Sequence, residues 1–260
     1  TAADRFIGAQ VMAVSGPIAR RMEDIDLALR AMSAADVRDP GYVPAPLASG
    51  PFAKRAALTL EPDGMPVTSA VKAALTRAAR SLEAAGWEVA DVPCPPMRRA
   101  AEINAVLWMA ETRFAAGDMV DREGDPDARF VFEIMRREAG PIDLDAVMKA
   151  LQARATLIRE WELFLQDYPV LICPVSGELP FDQQLDVTSE ADFLRVYEAQ
   201  LTQRGLPVMG MPALCVASGT AKGKPVGVQL VSGRFREDIL IAAGTELEAA
   251  GIPPDVADPR

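Results

Sequence analysis

Gly205-Leu-Pro-Val-Met-Gly-Met-Pro212 leads into the apolar run Ala213-Leu-Cys-Val-Ala217, a turn over Ser218–Pro225, and a second apolar run, Val226-Gly-Val-Gln-Leu-Val231. Short apolar runs bounded by Gly and Pro read as buried strands, and a Gly-containing connection between them suits a hairpin. Past Ser232-Gly-Arg-Phe235, the segment Arg236–Ala250 places Ile239, Leu240, Ala243 and Leu247 on one helical face. Glu237 and Asp238 stand at its start, where carboxylates favour the positive end of the helix dipole. A hairpin followed by a helix, near the end of the chain, sets the expectation of an α/β protein.

The bulk numbers narrow the classes. With 260 residues, half of them hydrophobic, the chain can bury a large core. A net charge of −10 argues against nucleic acid or an anionic membrane as partner, since both call for a basic face. No run is long and apolar enough for a bilayer, and no basic-then-apolar leader is present, so the expectation is a cytoplasmic protein. Cys94, Cys173 and Cys215 are odd in number, widely spaced and set among apolar residues or prolines. They read as reduced, mostly buried thiols. The chain has no histidine. That removes Ser-His-Asp and Cys-His catalysis and the usual zinc sites, and neither a metal nor a cofactor is expected.

Reading outward from the hairpin, Val11–Ile18 is an apolar approach closed by Gly16-Pro17. Met22, Ile25, Leu29 and Met32 then predict an amphipathic helix, with Pro17 at or before its first turn and Ser15 as a candidate cap. Asp36–Gly50, rich in Pro, Ala and Gly, reads as an irregular connection. Lys54–Leu60 is expected as a strand, Thr68–Ala85 as a helix ended by Gly86, and Trp87–Val92 as a strand, together a crossover unit on a parallel sheet. Helices are expected over Met97–Gly117, over Ala128–Arg137 and from Asp143 or Asp145 to about Gln166, with a loop over Gly117–Asp127. Tyr168–Pro174 is a third buried strand. Gly177–Ser189 is polar and turn-rich, long enough to be functional or mobile. A helix over Glu190–Thr202 completes the chain. The fold expected is α/β, a mixed sheet flanked by helices, with 251–260 as a flexible tail.

Five stretches carry a family resemblance. Gly210-Met-Pro-Ala-Leu-Cys-Val216, Gly223-Lys-Pro-Val-Gly-Val-Gln-Leu-Val231 and Gly233-Arg-Phe-Arg-Glu-Asp-Ile239 resemble, in order, the C-terminal end of the amidase signature family. Gly16-Pro-Ile-Ala-Arg-Arg-Met-Glu-Asp-Ile-Asp-Leu-Ala-Leu29 resembles the segment that follows the family's Gly/Ser-rich signature, and Tyr168–Pro174 resembles its D-[VA]-L-[LI]-x-P strand. One departure is that Leu206-Pro207 stands where many members carry Asn.

The resemblance implies an amide hydrolase whose lysine, cis-peptide serine and nucleophilic serine belong to segments upstream of Gly16. None has a counterpart in residues 1–260, so no catalytic residue is assigned. In the family route the nucleophilic serine attacks the amide carbonyl, its proton passes through the second serine to the lysine, and backbone N–H groups hold the oxyanion. Residues 1–260 would then be the C-terminal portion of a single amidase domain, inactive alone. Their contribution would be strands behind the active site and a pocket wall. Position in the family pattern makes Trp108, Ser176, Phe181 and Met209 the candidate substrate-binding residues, with core packing the plainer role for Trp108 and Met209. The expected partners are a small amide substrate and either a second copy or a complementing N-terminal half.

The residues themselves add little chemistry. The Ser-Gly pairs at Ser15, Ser49, Ser176, Ser218 and Ser232 suit turns or caps, and none lies in a G-x-S-x-G elbow. Lys54, Lys72, Lys149, Lys222 and Lys224 lack the apolar or cationic surroundings that would turn an ammonium into a base. Cys173 and Cys215 sit in apolar strands, where burial keeps a thiol inert. Arg234 and Arg236 could meet a carboxylate. The reading in a different class is a non-catalytic descendant that binds small molecules or partners.

Overall fold

The computed structural model describes residues 5–47, 50–115 and 117–251. Ser49 and residues 252–260 of the expected tail lie outside them. The described residues form ten α-helices and five strands. Along the chain they are α1 (Ile7–Met12), α2 (Met22–Met32), β1 (Arg55–Leu58), α3 (Ser69–Ala84), β2 (Glu88–Asp91), α4 (Arg98–Ala115), α5 (Gly117–Glu123) and α6 (Pro126–Ala139). They continue with α7 (Leu144–Asp167), β3 (Val170–Pro174), α8 (Glu190–Ala199), α9 (Leu201–Met209), β4 (Ala213–Ala221), β5 (Lys224–Val231) and α10 (Glu237–Ala249).

The strands make one sheet in the order β2-β1-β3-β5-β4. The first three are parallel, as the β1-α3-β2 crossover requires, and β3-β5-β4 are antiparallel, as a hairpin requires. The sheet is therefore mixed and the protein α/β, as the sequence predicts. β3 is buried along its whole length, which explains its unbroken apolar run. Helices α3 and α10 pack on the sheet, and α4, α7 and α9 pack against one another.

Polar side chains close the starts of three helices. Asp125 accepts from the N–H groups of Asp127 and Ala128 to cap α6, Asp143 accepts from Ala146 to cap α7, and Ser189 accepts from Asp192 to cap α8. The start of α2 is capped from a distance: Met22 N donates to Glu248 Oε2 on α10 at 3.1 Å.

Five local expectations are corrected. Val11 and Met12 end a short helix, α1, instead of forming an apolar approach. Ser15 and Pro17 lie in irregular chain and do not cap α2, whose start is at Met22, beyond them. The expected loop Gly117–Asp127 is largely α5, which packs against α4 and α6 and stops at Gly124. The helix expected over Glu190–Thr202 is broken at Gln200, and α9 carries it on through Pro207, whose missing N–H falls in the last turn. The hairpin strands also run further than their apolar cores, so the turn shrinks to Lys222-Gly223. Both residues have positive φ, 51° and 73°, the arrangement of the tight turns that match strand twist. A bulge between Ala217 and Gly219 absorbs the polar residues that looked like turn.

Candidate functional site: a groove along one helix

Three openings meet along α9. The first, about 460 Å³, lies between α4 and α8 and is walled by Trp108, Met135, Phe193 and Tyr197, with Asn104 and Asp186 as polar lining. The second, about 500 Å³, runs under the Val14–Pro17 segment past Leu206, Pro207 and Gln229 to Leu240 and Ile241. The third, about 460 Å³, lies between the Val175–Phe181 segment and the hairpin and is lined by Ser176, Phe181, Cys215 and Val226. Gln203 borders all three, and Gln200 borders the first and third. The break between α8 and α9 brings both glutamines to this junction.

α9 also fixes the neighbouring loop. Thr202 Oγ1 donates to the carbonyl oxygens of Pro174 and Val175 at 2.9 and 2.8 Å, and Gln203 Nε2 donates to Val175 O at 3.2 Å. Gly177 N donates to Ala199 O, and Thr68 N donates to Gly177 O, both at 2.8 Å. Lys224, beside the hairpin turn, reaches Pro180 O at 2.7 Å and Asp182 Oδ1 at 2.9 Å. Residues 175–182 are thus tied to α3, α9 and the hairpin. In the first opening, Phe193 and Tyr197 stack with ring centroids 5.5 Å apart, and the Arg204 guanidinium lies 3.6 Å above the Tyr197 ring.

A bidentate ion pair adds a pH-sensitive tie to this loop. Arg195 Nε and Nη2 donate to Glu178 Oε1 and Oε2 at 2.8 and 2.6 Å, and the Arg195 hydrogen bonds hold the Glu178 carboxyl below its ordinary value near 4.5. A carboxyl lowered in the folded state adds stability above its unfolded pKa, and that stability is lost as pH falls through the folded value. Amide exchange at Gly177 and Glu178 is therefore expected to accelerate, beyond the intrinsic pH dependence, as pH falls below the ordinary carboxyl value and through the lowered one. In Arg195→Ala the same amides are expected to exchange fast already at pH 7. Equal exchange in the two proteins at pH 7 would dismiss the pair as a restraint.

The candidate residues divide between these places. Trp108, 42% exposed, stands in the first opening; Ser176 and Phe181 line the third. Met209 is completely buried in the core and borders none of the three. Ser176 Oγ accepts from Glu178 N at 3.2 Å, the turn role expected of it. Ser232 Oγ donates to Pro169 O, and Ser218 is buried. Lys54 meets Glu246 and Ala85 O, Lys72 meets Glu61, and Lys224 meets Asp182. Among the described residues no lysine ammonium is bonded to a serine hydroxyl, and no group of His, Cys, Asp and Glu side chains could hold a metal ion. Arg236 is paired with Asp238 instead of facing an opening.

The thiols differ from the expectation in one case. Cys173 is fully buried, and burial pushes its thiol well up; burial and Asp63 push Cys94 up to about 12. Cys215, expected to be buried, is exposed, because β4 is an edge strand and its side chain borders the third opening.

Sequence reasoning missed Gln203 and Gln229. Gln229 carried a signal, a polar residue in the middle of an apolar strand. Gln203 carried none, since its place depends on the break at Gln200.

A family model described as Amidase matches residues 8–241. The chain is 36% identical over 250 residues to the indoleacetamide hydrolase of Bradyrhizobium diazoefficiens, covering 95% of this chain and 48% of that protein. It is 28% identical over 263 residues to a glutamyl-tRNA(Gln) amidotransferase subunit from Halorhodospira halophila, covering 88% and 53%. Among solved structures, a bacterial aryl acylamidase of the amidase signature family superposes with a TM-score of 0.73 at 19% identity, covering 91% of this chain and 52% of that one. The 6-aminohexanoate cyclic dimer hydrolase superposes with a TM-score of 0.67 at 21% identity, covering 89% and 53%. The chain thus spans about half the length of the curated relatives it matches.

Proposed function

Because this chain belongs to the amidase family, we propose that it supplies the sheet and the pocket walls of an enzyme that hydrolyses a carboxamide C–N bond. The products are a carboxylic acid and ammonia or an amine. The nucleophilic serine, its serine relay and the lysine base come from the rest of the assembled amidase domain. One observation carries the division of labour: the described residues build a groove with three openings, yet join no lysine to a serine along it. Attack on an amide needs a nucleophile within hydrogen-bond reach of its base. Walls alone supply binding and orientation.

The walls favour an amide with a flat apolar body. Trp108, Phe193 and Tyr197 offer ring faces and edges in the first opening, and Phe181 adds one in the third. Polar lining is limited to a few groups, among them Gln200 and Gln203, which can orient a carboxamide without reacting. An aryl-substituted amide such as indoleacetamide, the substrate in the name of the Bradyrhizobium relative, fits this lining.

Residues 1–260 alone are expected to show no turnover of indoleacetamide or phenylacetamide. The same chain joined behind the unmatched half of the Bradyrhizobium enzyme is expected to release ammonia from both. Turnover by residues 1–260 alone would place the nucleophile within this chain. Binding of the amide by the joined protein without ammonia release would favour a non-catalytic binding protein.

A further inference from the structure

The first opening has one wall held much more loosely than the one beside it. Its α4 side is part of the core, since α4 buries Ile103, Ala105, Leu107 and Met109. Its α6 side presents Val131 and Met135, yet of the 14 residues of α6 only Ile134 is buried. α6 packs on α4, on the Leu185–Val187 turn and on α5, which itself buries nothing. A helix with so little apolar anchorage belongs to the low end of local stability.

Both ends of α6 are jointed by glycine. Gly124 has φ 74° and Gly140 has φ 70°, and a Cβ at either would meet nothing within 4 Å. No close approach calls for these glycines, so what they supply is backbone freedom at the two points where the helix joins the chain. Across the opening stands α8, with Phe193 and Tyr197. Among the described residues one side-chain hydrogen bond spans from α6 to α8: Arg137 Nη2 in the last turn of α6 donates to Glu190 Oε1 in the first turn of α8. The two side chains are 51% and 52% exposed, so the pair is weak enough to open and close. Neither residue borders any of the three openings.

We propose that α6 is a lid on the first opening, hinged at Gly124 and Gly140 and latched to α8 by the Arg137–Glu190 pair, and that its swing admits the bulky body of the amide. The proposal rests on the functional reading above, which places the aryl body in this opening. A wall with one buried anchor can turn about its two glycines while α4 stays in the core. Arg137 and Glu190 are here positioning residues: they touch no substrate and act through the helix they hold.

Amide exchange in residues 1–260 reads the lid without any turnover. The amides of residues 131–135, in the middle of α6, are expected to exchange about 100-fold or more faster than those of residues 103–107 on α4, through one shared opening and not by fraying from an end. Arg137→Gln and Glu190→Gln are each expected to speed α6 exchange about two- to fivefold, the range of an exposed pair, and the double variant no further. The second arm uses the joined protein carrying Arg137→Cys and Glu190→Cys, bridged by a short cleavable bis-maleimide. Its kcat/KM for indoleacetamide is expected to fall about tenfold or more, measured against the joined protein without these substitutions treated alike, and to recover on cleavage. Exchange in α6 as slow as in α4 would overturn the proposal, and so would additive effects of the two glutamine substitutions. A bridged protein that turns over indoleacetamide as fast as the cleaved one would overturn it too. A joined protein that releases no ammonia while α6 exchanges as expected would sink the functional reading and keep the hinged helix. Ammonia release with a rigid α6 would do the reverse.

Discussion

Trp161→Ala is expected to lower the unfolding free energy by about 3–5 kcal/mol, the range for emptying a buried indole site. Trp161 lies on α7, is wholly buried, and is joined to the main core together with Leu157 and Leu165 of the same helix. Its ring meets Phe164 edge-on at 6.4 Å, a contact that alanine also removes. Domains of this size hold only about 5–15 kcal/mol in reserve, so a large share would go in one step. Trp161→Phe is expected to cost distinctly less. Trp161 Nε1 has no hydrogen-bond partner among the described residues, and phenylalanine keeps most of the ring while removing that unsatisfied donor. Urea denaturation checks both variants through the midpoint at unchanged slope. Equal losses for the two would mean that the indole nitrogen is satisfied after all; a loss under about 1 kcal/mol for alanine would mean the site collapses to fill itself.

Much of the fold was legible because its elements follow simple periods. β3 is apolar throughout because it is buried throughout, and α3 repeats its apolar residues at helical spacing because one face meets the sheet. The parallel β1-β2 pairing followed from a strand, a helix and a strand in close succession. The misses occurred where tertiary contacts decide. Nothing local separates Gly117–Glu123 from a loop; packing on α4 and α6 does. The Ser218–Ala221 segment is polar and glycine-bearing, yet pairing with β5 holds it extended around a bulge.

Less of the candidate site was legible. Trp108, Ser176 and Phe181 were named by position in a family pattern, and all three border openings. Met209 was named by the same reasoning and is core, because α9 turns that side inward. The groove itself depends on how α9 crosses the end of β3, through Thr202 and Gln203 holding the Pro174 and Val175 carbonyls. Hydrogen bonds between residues nearly thirty positions apart leave no periodic trace in a sequence.

Gly177→Ala tests that arrangement most directly and is expected to cost about 2–3 kcal/mol, from two weakened main-chain hydrogen bonds and the displacement of a packed loop. A Cβ at Gly177 would stand 2.3 Å from the carbonyl oxygen of Pro66, and a backbone atom cannot swing aside as a side chain would. The same residue is held from both ends, by Ala199 O and by Thr68 N, so the loop cannot shift without loosening both bonds. Elsewhere in a loop, alanine in place of glycine restricts the unfolded chain and often stabilises by about 0.4–1 kcal/mol. The sign of the measured change therefore separates close approach from ordinary chain entropy. The loss should be accompanied by faster amide exchange at Thr68 and in residues 175–181, while the β3 and β5 amides keep their protection relative to global unfolding. In the joined protein the displaced Ser176 and Phe181 should raise KM for an aryl amide more than they lower kcat if, as proposed, the wall they form binds the substrate body away from the reacting bond. A stability equal to or above the parent's, with unchanged exchange at Thr68, would show that the approach of residue 177 to Pro66 is not the constraint that shapes this wall.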